Sequence, residues 1–466
     1  MDLLLAHGYF LYDDPHELQV MKPYPPLGIL YISAYLKQRG FSVGVFDATF
    51  ESLDAFEARL AAERPTVVGL YCNLMTKFNV LAMIKLARAA GAHVVLGGPE
   101  PPYYAEEYIA RGADVVVIGE GEHAMEDLLP ALAKHGPHDL AHVAGIAYRN
   151  TEGSIARTTP RPMVRELDAL PPPDRQAIDL PQYIRTWRDH HGMGSASLIT
   201  ARGCPYKCNW CSHSVYGHTH RRHSPQRVAD EAQALIDQYN PDQLWYADDV
   251  FTIKHSWLYQ YASELQARNI RLPFECISRA DRMNEQVVKT LAEMGCFRLW
   301  IGSESGSQRI LNEMERGVKV ERVQEMTRRL QRHGIEVGMF IMLGYEEESE
   351  ADIAATVAHL KAANPNVFLT TVAYPIRGTK YYERVEADII ARADWDHRTD
   401  RDLTVAGRHS RRYYESAIRW MVGSVALHRQ WRAGRRRPVA MARAAANIAR
   451  GRWGMARARR EVEAAP

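Results

Sequence analysis

Two series of short apolar runs alternate with helix-patterned segments along most of this chain, and that alternation constrains the fold more than any other feature. In the first series, Leu3–Ala6 is followed by a helix near Leu27–Arg39 and a run at Val43–Phe46. Val67–Tyr71, a helix near Val80–Ala90, Val94–Leu96, Val115–Ile118 and a helix near Ala124–Lys134 continue it. Strands alternating with helices predict an α/β fold with a parallel, doubly wound sheet over residues 1–150. Ligands on such sheets bind at the carboxyl ends of the strands. The run Leu170-Pro-Pro-Pro-Asp174 fits neither a helix interior nor a central strand, so residues 151–193 read as a linker. A second series occupies residues 194–400: Ser195–Thr200, Gln243–Tyr246, Phe274–Ser278, Arg298–Gly302, Val337–Leu343 and Val367–Val372. Helical segments at Arg227–Gln238, Glu285–Met294, Val320–His333 and Glu350–Ala362 lie between these runs. Six strand–helix units of this kind place a site at the C-terminal strand ends.

Composition sets the class. With 466 residues, 46% hydrophobic and 24% charged, the chain is long enough for two or three domains with ordinary soluble cores. No apolar run approaches the roughly 18 residues a spanning helix needs. The start, Met1-Asp-Leu-Leu-Leu-Ala-His7, reads as a buried strand rather than a signal peptide. Six cysteines do not make a disulfide framework, which points to a reducing cytoplasm. The net charge of +2 hides an asymmetry. Eleven Arg against two Glu from Arg429 onward leave nine positive charges there, and about seven net negative charges on the rest.

Three of the cysteines, Cys204, Cys208 and Cys211, stand in Arg202-Gly-Cys-Pro-Tyr-Lys-Cys-Asn-Trp-Cys-Ser212, just after the first strand of the second series. Three thiolates on one short loop can hold three irons of a [4Fe–4S] cluster, soft thiolate being the ligand such clusters take. The fourth iron is then open to another ligand. No fourth cysteine follows nearby, so a structural zinc, which needs four ligands, fits poorly. The alternative is three clustered thiols with no metal role.

The motif resembles the cluster loop of the radical S-adenosylmethionine (SAM) enzymes, in which an aromatic residue, here Trp210, precedes the third cysteine. The resemblance implies a partial (β/α)6 barrel in which SAM chelates the open iron with Trp210 near its adenine. One-electron reduction would then cleave SAM to methionine and a 5′-deoxyadenosyl radical, with an electron donor such as flavodoxin or ferredoxin. The acidic pair Asp248 and Asp249, in Tyr246-Ala-Asp-Asp-Val-Phe-Thr252, resembles the family's contact for the SAM ammonium; the alternative is a helix cap. Ile301-Gly-Ser-Glu-Ser-Gly-Ser307 resembles the family's Gly-x-Glu-Ser-Gly element, which makes Glu304 the preferred SAM contact, with Ser303 and Ser305 secondary. Arg279 could pair with the SAM carboxylate, with Glu304, or in a surface salt bridge. Gly344 and Met342 loosely fit the segment lining the adenine pocket, and the charges at Glu346–Glu348 read as a solvated helix start.

The first series is similar to the cobalamin-binding domain fused to one large class of these enzymes. The matching pieces are Pro25-Pro-Leu-Gly-Ile-Leu-Tyr31, with Leu27 and Gly28; Gly97-Gly98-Pro99; and Gly119-Glu120-Gly121-Glu122. Glycine there lets backbone approach a flat ligand. The lower cobalt ligand of the Asp-x-His-x-x-Gly motif is missing, since the corresponding stretch is Asp47-Ala-Thr-Phe-Glu51. Cys72 reads as a small buried hydrophobe, and His213, His218, His220 and His223 as a solvated loop. From about Arg401 the pattern breaks into a helical, basic C-terminal region over 401–466. Its Trp453 and arginines fit an anionic membrane surface or a docked acidic protein face, and no RNA-binding fold accompanies them.

The resemblance implies a cobalamin-dependent radical SAM enzyme that methylates an unactivated carbon of a small-molecule or lipid-like substrate. A rival reading keeps both cofactors and performs the ring closure of anaerobic porphyrin cyclases. A tRNA methylthiotransferase fits less well, because only Cys72 stands where that family supplies three further cysteines. A non-catalytic cobalamin or redox sensor is the reading from another class.

Overall fold

The computed structural model describes residues 1–432 and 437–464, so the arginine run within 433–436 lies outside the described residues. The chain divides into two compact units. The first comprises Met1–Pro205, Ser212–Trp245 and Trp395–Thr399; the second comprises Tyr206–Cys211, Tyr246–Asp394 and Asp400–Pro466.

The first unit contains a seven-stranded sheet. Its strands are β1 (Leu3–His7), β2 (Val43–Phe46), β3 (Val67–Tyr71), β4 (His93–Gly97), β5 (Val115–Val117), β6 (Ile146–Arg149) and β7 (Ile155–Arg157), in the order β2-β1-β3-β4-β5-β6-β7. The first five are parallel, and β6 and β7 close one edge as antiparallel strands. Side chains alternate across a strand, so β1 sends Leu3 and Leu5 to one core and Leu4 and Ala6 to the other. Helices Leu27–Gln38 and Gly121–His135 cover the first core. Helices Leu53–Glu63, Lys77–Ala89 and Ala105–Ala110 cover the second. This is the doubly wound arrangement the alternation predicts.

The stretch expected as a linker, 151–193, is built into this unit. It supplies β7 and the helix Leu180–His191, whose Tyr183 hydroxyl donates to the Asp47 carboxylate at 2.9 Å. Trp187 Nε1 donates to the Pro23 carbonyl at 2.7 Å. The triple proline hid the hairpin and the helix on either side of it. Strand β8 (Ser195–Leu198) follows. A short antiparallel ribbon of β9 (Ala201–Arg202) and β10 (Arg221–Arg222) comes next. Strand β11 (Gln243–Tyr246) stands beside β8 in the strand order.

The second unit carries β12 (Phe274–Ser278), β13 (Cys296–Glu304), β14 (Glu336–Leu343) and β15 (Val367–Val372), parallel and ordered β15-β14-β13-β12. Helices follow each of them, at Glu285–Met294, Gln308–Glu313 with Val320–Arg332, Glu350–Ala363, and Lys380–Val385. The helix Glu350–Ala363 opens on a capping box, in which Ser349 and Asp352 satisfy each other's backbone N–H. In the sequence they continue the strand–helix alternation that β8 and β11 begin. Two long helices, Arg411–Arg432 and Pro438–Ala458, end the chain. They pack closely at glycine: a Cβ on Gly451 would sit 2.5 Å from the Trp420 nitrogen. No helix among the described residues is long and apolar enough to cross a membrane.

Candidate active site

The cluster loop is framed by the β9–β10 ribbon. Gly203 leaves β9 with φ +84°, and a Cβ there would lie 2.6 Å from the Thr219 carbonyl oxygen, so only glycine fits. Cys204, Cys208 and Cys211 are each half-buried. The Cys211 N–H donates to the Cys208 carbonyl at 3.1 Å, turning the chain between the last two thiols. Among the described residues, no three His, Cys, Asp or Glu side chains converge on one point as a single metal ion requires. A cluster in which each thiolate takes a separate iron makes no such demand.

Cys208 has cationic neighbours. Arg279 and Arg316 each bring a guanidinium nitrogen to its sulfur, at 3.8 and 3.7 Å. Burial pushes the Cys208 thiol up, and Arg279 works against that shift. Neighbouring cations favour the thiolate, the form that binds iron. Arg279 is itself fixed: it stacks 3.7 Å over the Tyr206 ring, pairs with Asp281 at 2.9 Å and donates to the Arg316 carbonyl at 2.8 Å. Its place is therefore beside the cluster loop, among these partners.

Asn209 is held within the second unit by four hydrogen bonds. Its N–H donates to the Met314 carbonyl at 3.2 Å, its side-chain amide to the Glu313 carbonyl at 2.6 Å, and its side-chain oxygen accepts from Tyr345 at 2.8 Å. The Tyr381 N–H donates to its carbonyl at 2.8 Å. Trp210, the next residue, packs against an apolar cluster that includes Ile310, Met314, Tyr345 and Tyr381.

Glu304 ends β13 at a register shift in its pairing with β14, with φ +61°. A non-glycine residue in the left-handed region is strained, and such strain concentrates at functional positions. Its carboxyl is buried and pushed up to about 8 by that burial, against the pull of Arg279. Asp248 is also buried. Asp249 is exposed, yet surrounding protein and Asp248 push its carboxyl up.

Other expected residues serve packing. Ser303 and Ser305 are buried, their hydroxyls on His359 at 2.9 Å and Thr356 at 3.2 Å. A Cβ on Gly344 would press 2.8 Å from the Tyr414 ring, so that ring accounts for the glycine. Glu348, read as part of a solvated helix start, is instead buried and accepts from the Gly344 N–H at 2.5 Å.

In the first unit the glycine motifs divide into two kinds. Gly28 and Gly97 have nothing within 4 Å of a built Cβ, and at Gly119 the nearest atom is the Val215 carbonyl oxygen at 3.7 Å. Gly97 ends β4, Gly119 follows β5 and Gly28 opens a helix, and each is uncovered on the Cβ side. Gly98 and Gly121 are filled by protein: a Cβ would meet the Cys72 carbonyl oxygen at 2.2 Å and the Ile32 side chain at 2.5 Å, respectively. Leu27 is half-buried against the core. Cys72 is buried as expected, its sulfur 3.1 Å from the Tyr108 hydroxyl and 3.4 Å from the Glu100 carboxylate.

Glu120 and Glu122, expected to face a ligand, bind arginines instead. Arg202 donates to Glu120 at 2.8 Å and to Glu122 at 2.6 Å. Arg221 donates to the other Glu120 oxygen at 2.7 Å, where the Val164 N–H also donates at 2.8 Å. Burial opposes the Glu120 charge, but Arg202 and Arg221 hold its carboxyl below the usual range. His223 departs from the solvated-loop reading: it is buried, with Nδ1 2.9 Å from the Asp168 carboxylate. His7 pairs with Asp47 at 2.9 Å and accepts from the Tyr9 N–H through Nδ1, so both ring nitrogens are engaged.

Sequence reasoning passed over Arg202, Asn209, Arg221 and Arg316. Arg202 and Asn209 lie inside the cysteine motif and could have been marked by position. Arg316 and Arg221 carry no local signal, because their partners are distant in sequence.

The comparisons with known proteins agree with this layout. Residues 19–129 match the B12 binding domain family, and residues 198–360 match the Radical SAM superfamily. The chain is 26% identical over 394 residues to an uncharacterised methyltransferase of Pyrococcus horikoshii, covering 83% of this chain and 84% of that protein. It is 26% identical over 388 residues to an anaerobic magnesium-protoporphyrin IX monomethyl ester cyclase of Synechocystis, covering 80% and 76%. In fold it is similar to the structure of the cobalamin-dependent S-adenosylmethionine radical enzyme OxsB with aqua-cobalamin bound. There the TM-score is 0.76 at 15% identity, covering 99% of this chain and 80% of that one.

Proposed function

Because the chain belongs to the radical SAM enzymes that carry a B12-binding domain, we propose that it methylates an unactivated carbon of a small-molecule or lipid-like substrate. When bound, the cluster with SAM supplies a carbon-radical initiator and the corrinoid supplies a methyl donor. One observation carries the reading: a three-cysteine loop with two arginines at Cys208, in a chain whose first unit leaves Gly28, Gly97 and Gly119 uncovered on the Cβ side. Both sets of residues fit the groups they would hold.

Cys204, Cys208 and Cys211 hold the cluster. Arg279 and Arg316 favour the Cys208 thiolate, and Asn209 fixes the loop. Glu304 receives the SAM ammonium, aided by Asp248 and Asp249, and Trp210 walls the adenine side. Gly28, Gly97 and Gly119 form the corrinoid rim. The electron donor is a flavodoxin or ferredoxin.

Ring closure is the second reading, favoured by the cyclase relative. An anaerobic assay with candidate substrates separates the two. A methylase forms both 5′-deoxyadenosine and S-adenosylhomocysteine, whereas a cyclase forms no homocysteine product. Deoxyadenosine without S-adenosylhomocysteine under full turnover would reject methylation.

A peripheral membrane contact belongs to the same proposal. On the helix Pro438–Ala458, Val439 and Trp453 are 75% and 64% exposed, with Arg443, Arg450 and Arg457 at heptad spacing beside them. Cations and an interfacial Trp favour an anionic bilayer. Co-sedimentation with phosphatidylglycerol vesicles but not with phosphatidylcholine vesicles is the expected result; equal recovery with both rejects it.

A further inference from the structure

The four charges clustered at Glu120, Glu122, Arg202 and Arg221 have a role that packing does not require. We infer that Glu120, Glu122, Arg202 and Arg221 are positioning residues that join the Gly119–Glu122 turn to the cluster loop, so that corrinoid binding and cluster binding are energetically coupled. The inference rests on the corrinoid reading above.

Its first support is geometric. Arg202 ends β9, and a single residue, Gly203, separates it from Cys204. Gly203 packs closely against Thr219 and Tyr216, leaving no room for a Cβ. The Arg202 ion pairs and Cys204 are therefore carried on one short, closely packed stretch of backbone.

The second support is closure. Arg202 and Arg221 are register partners across the β9–β10 ribbon, and both bind Glu120. Carboxylate, guanidinium, ribbon and guanidinium form a ring, to which Glu122 adds a further bond. The side chains of Glu120, Glu122 and Arg202 are 4–5% exposed. Arg202 also lies 5.2 Å from the Tyr31 ring centroid, and Tyr31 belongs to the Pro25–Tyr31 element. Two of the three cobalamin-like elements thus meet at one guanidinium.

The third support is energetic. A buried ion network is seldom a stability device, since well-packed apolar residues of similar size do as well or better. What it supplies is a fixed geometry with directional bonds. On one side stands Gly119, where the corrinoid reading places the ligand; on the other, the thiol of Cys204. A ligand resting on the turn sets the carboxylates, and the carboxylates set Arg202. Coupling between two binding equilibria is reciprocal and typically amounts to 5- to 150-fold in affinity.

The test measures hydroxocobalamin affinity by tryptophan-fluorescence quenching, anaerobically, in cluster-reconstituted and cluster-free full-length protein. In the wild type the cluster is expected to change the corrinoid dissociation constant at least about 5-fold. In Glu120→Gln and Arg202→Lys that ratio is expected to fall to near one, while iron content after reconstitution stays at the wild-type level. If Arg202→Lys does not fold, Glu120→Gln decides alone, because it keeps the side-chain shape and removes the carboxylate that both arginines bind. A wild-type ratio near one, or a wild-type ratio preserved in Glu120→Gln, overturns the coupling and leaves the corrinoid reading standing. A wild type that binds no corrinoid overturns both.

Discussion

Cys208→Ala is expected to leave the reconstituted chain without its cluster: iron falls from about four per chain to background, and 5′-deoxyadenosine formation under strong reductant drops below detection. Cys204→Ala and Cys211→Ala give the same result, since each thiolate holds a different iron. Cys72→Ala, Cys276→Ala and Cys296→Ala, all at buried positions outside the loop, retain full iron content. Iron and sulfide analysis with an electron paramagnetic resonance spectrum of the dithionite-reduced protein checks all six variants. Retention of a four-iron cluster in any of the first three, or its loss in Cys72→Ala, would refute the assignment.

Glu304→Gln is expected to weaken SAM binding about 10- to 100-fold, the effect of removing a charge-assisted hydrogen bond of roughly 1.5–3 kcal/mol. The proton bookkeeping makes this prediction specific. With burial holding Glu304 up to about 8, the carboxyl is mostly protonated at pH 7 in the free protein. An arriving ammonium favours the carboxylate, so binding at pH 7 releases up to one proton. At pH 9 the group is already ionised and little is released. Titration calorimetry in buffers of different ionisation enthalpy therefore gives a buffer-dependent heat at pH 7 that fades by pH 9. In Glu304→Gln the dependence is absent at both values. An unchanged buffer dependence in the variant places the titrating group elsewhere. For folding the sign is opposite to that of a salt-bridged acid. A raised carboxyl pKa means the native state holds the extra proton, so the contribution of Glu304 to stability declines as pH rises from about 4.5 to about 8.

The strand–helix alternation was readable because its cause is local. Period-two and period-3.6 burial leave their mark on neighbouring residues, so Val67–Tyr71 and Phe274–Ser278 match β3 and β12 end for end. Helix Leu180–His191 carries a local signal, with Leu180, Tyr183, Ile184 and Trp187 buried at helical spacing, but the triple proline just before it masked that period. The glycine motifs were readable as motifs but ambiguous as sites. Gly97 and Gly98 are adjacent, yet one is open and the other is demanded by the Cys72 carbonyl. Glu120 and Glu122 carry the same residue type that a ligand contact needs, and nothing local shows that Arg202 already occupies them.

By itself the sequence placed the three thiols of the cluster loop together, because Cys204, Cys208 and Cys211 fall within eight residues. It also determined two α/β series, because hydrophobic periodicity is written residue by residue. Only the tertiary structure decided how the polar groups of the motifs are engaged. Glu304 is buried and strained at a strand end with Arg316 at 3.7 Å, Asp249 is exposed, and Ser303, Ser305, Glu120 and Glu122 are bonded to protein. The physical reason is that a buried polar group must find a partner, and the partner is chosen by the fold from residues tens to hundreds of positions away.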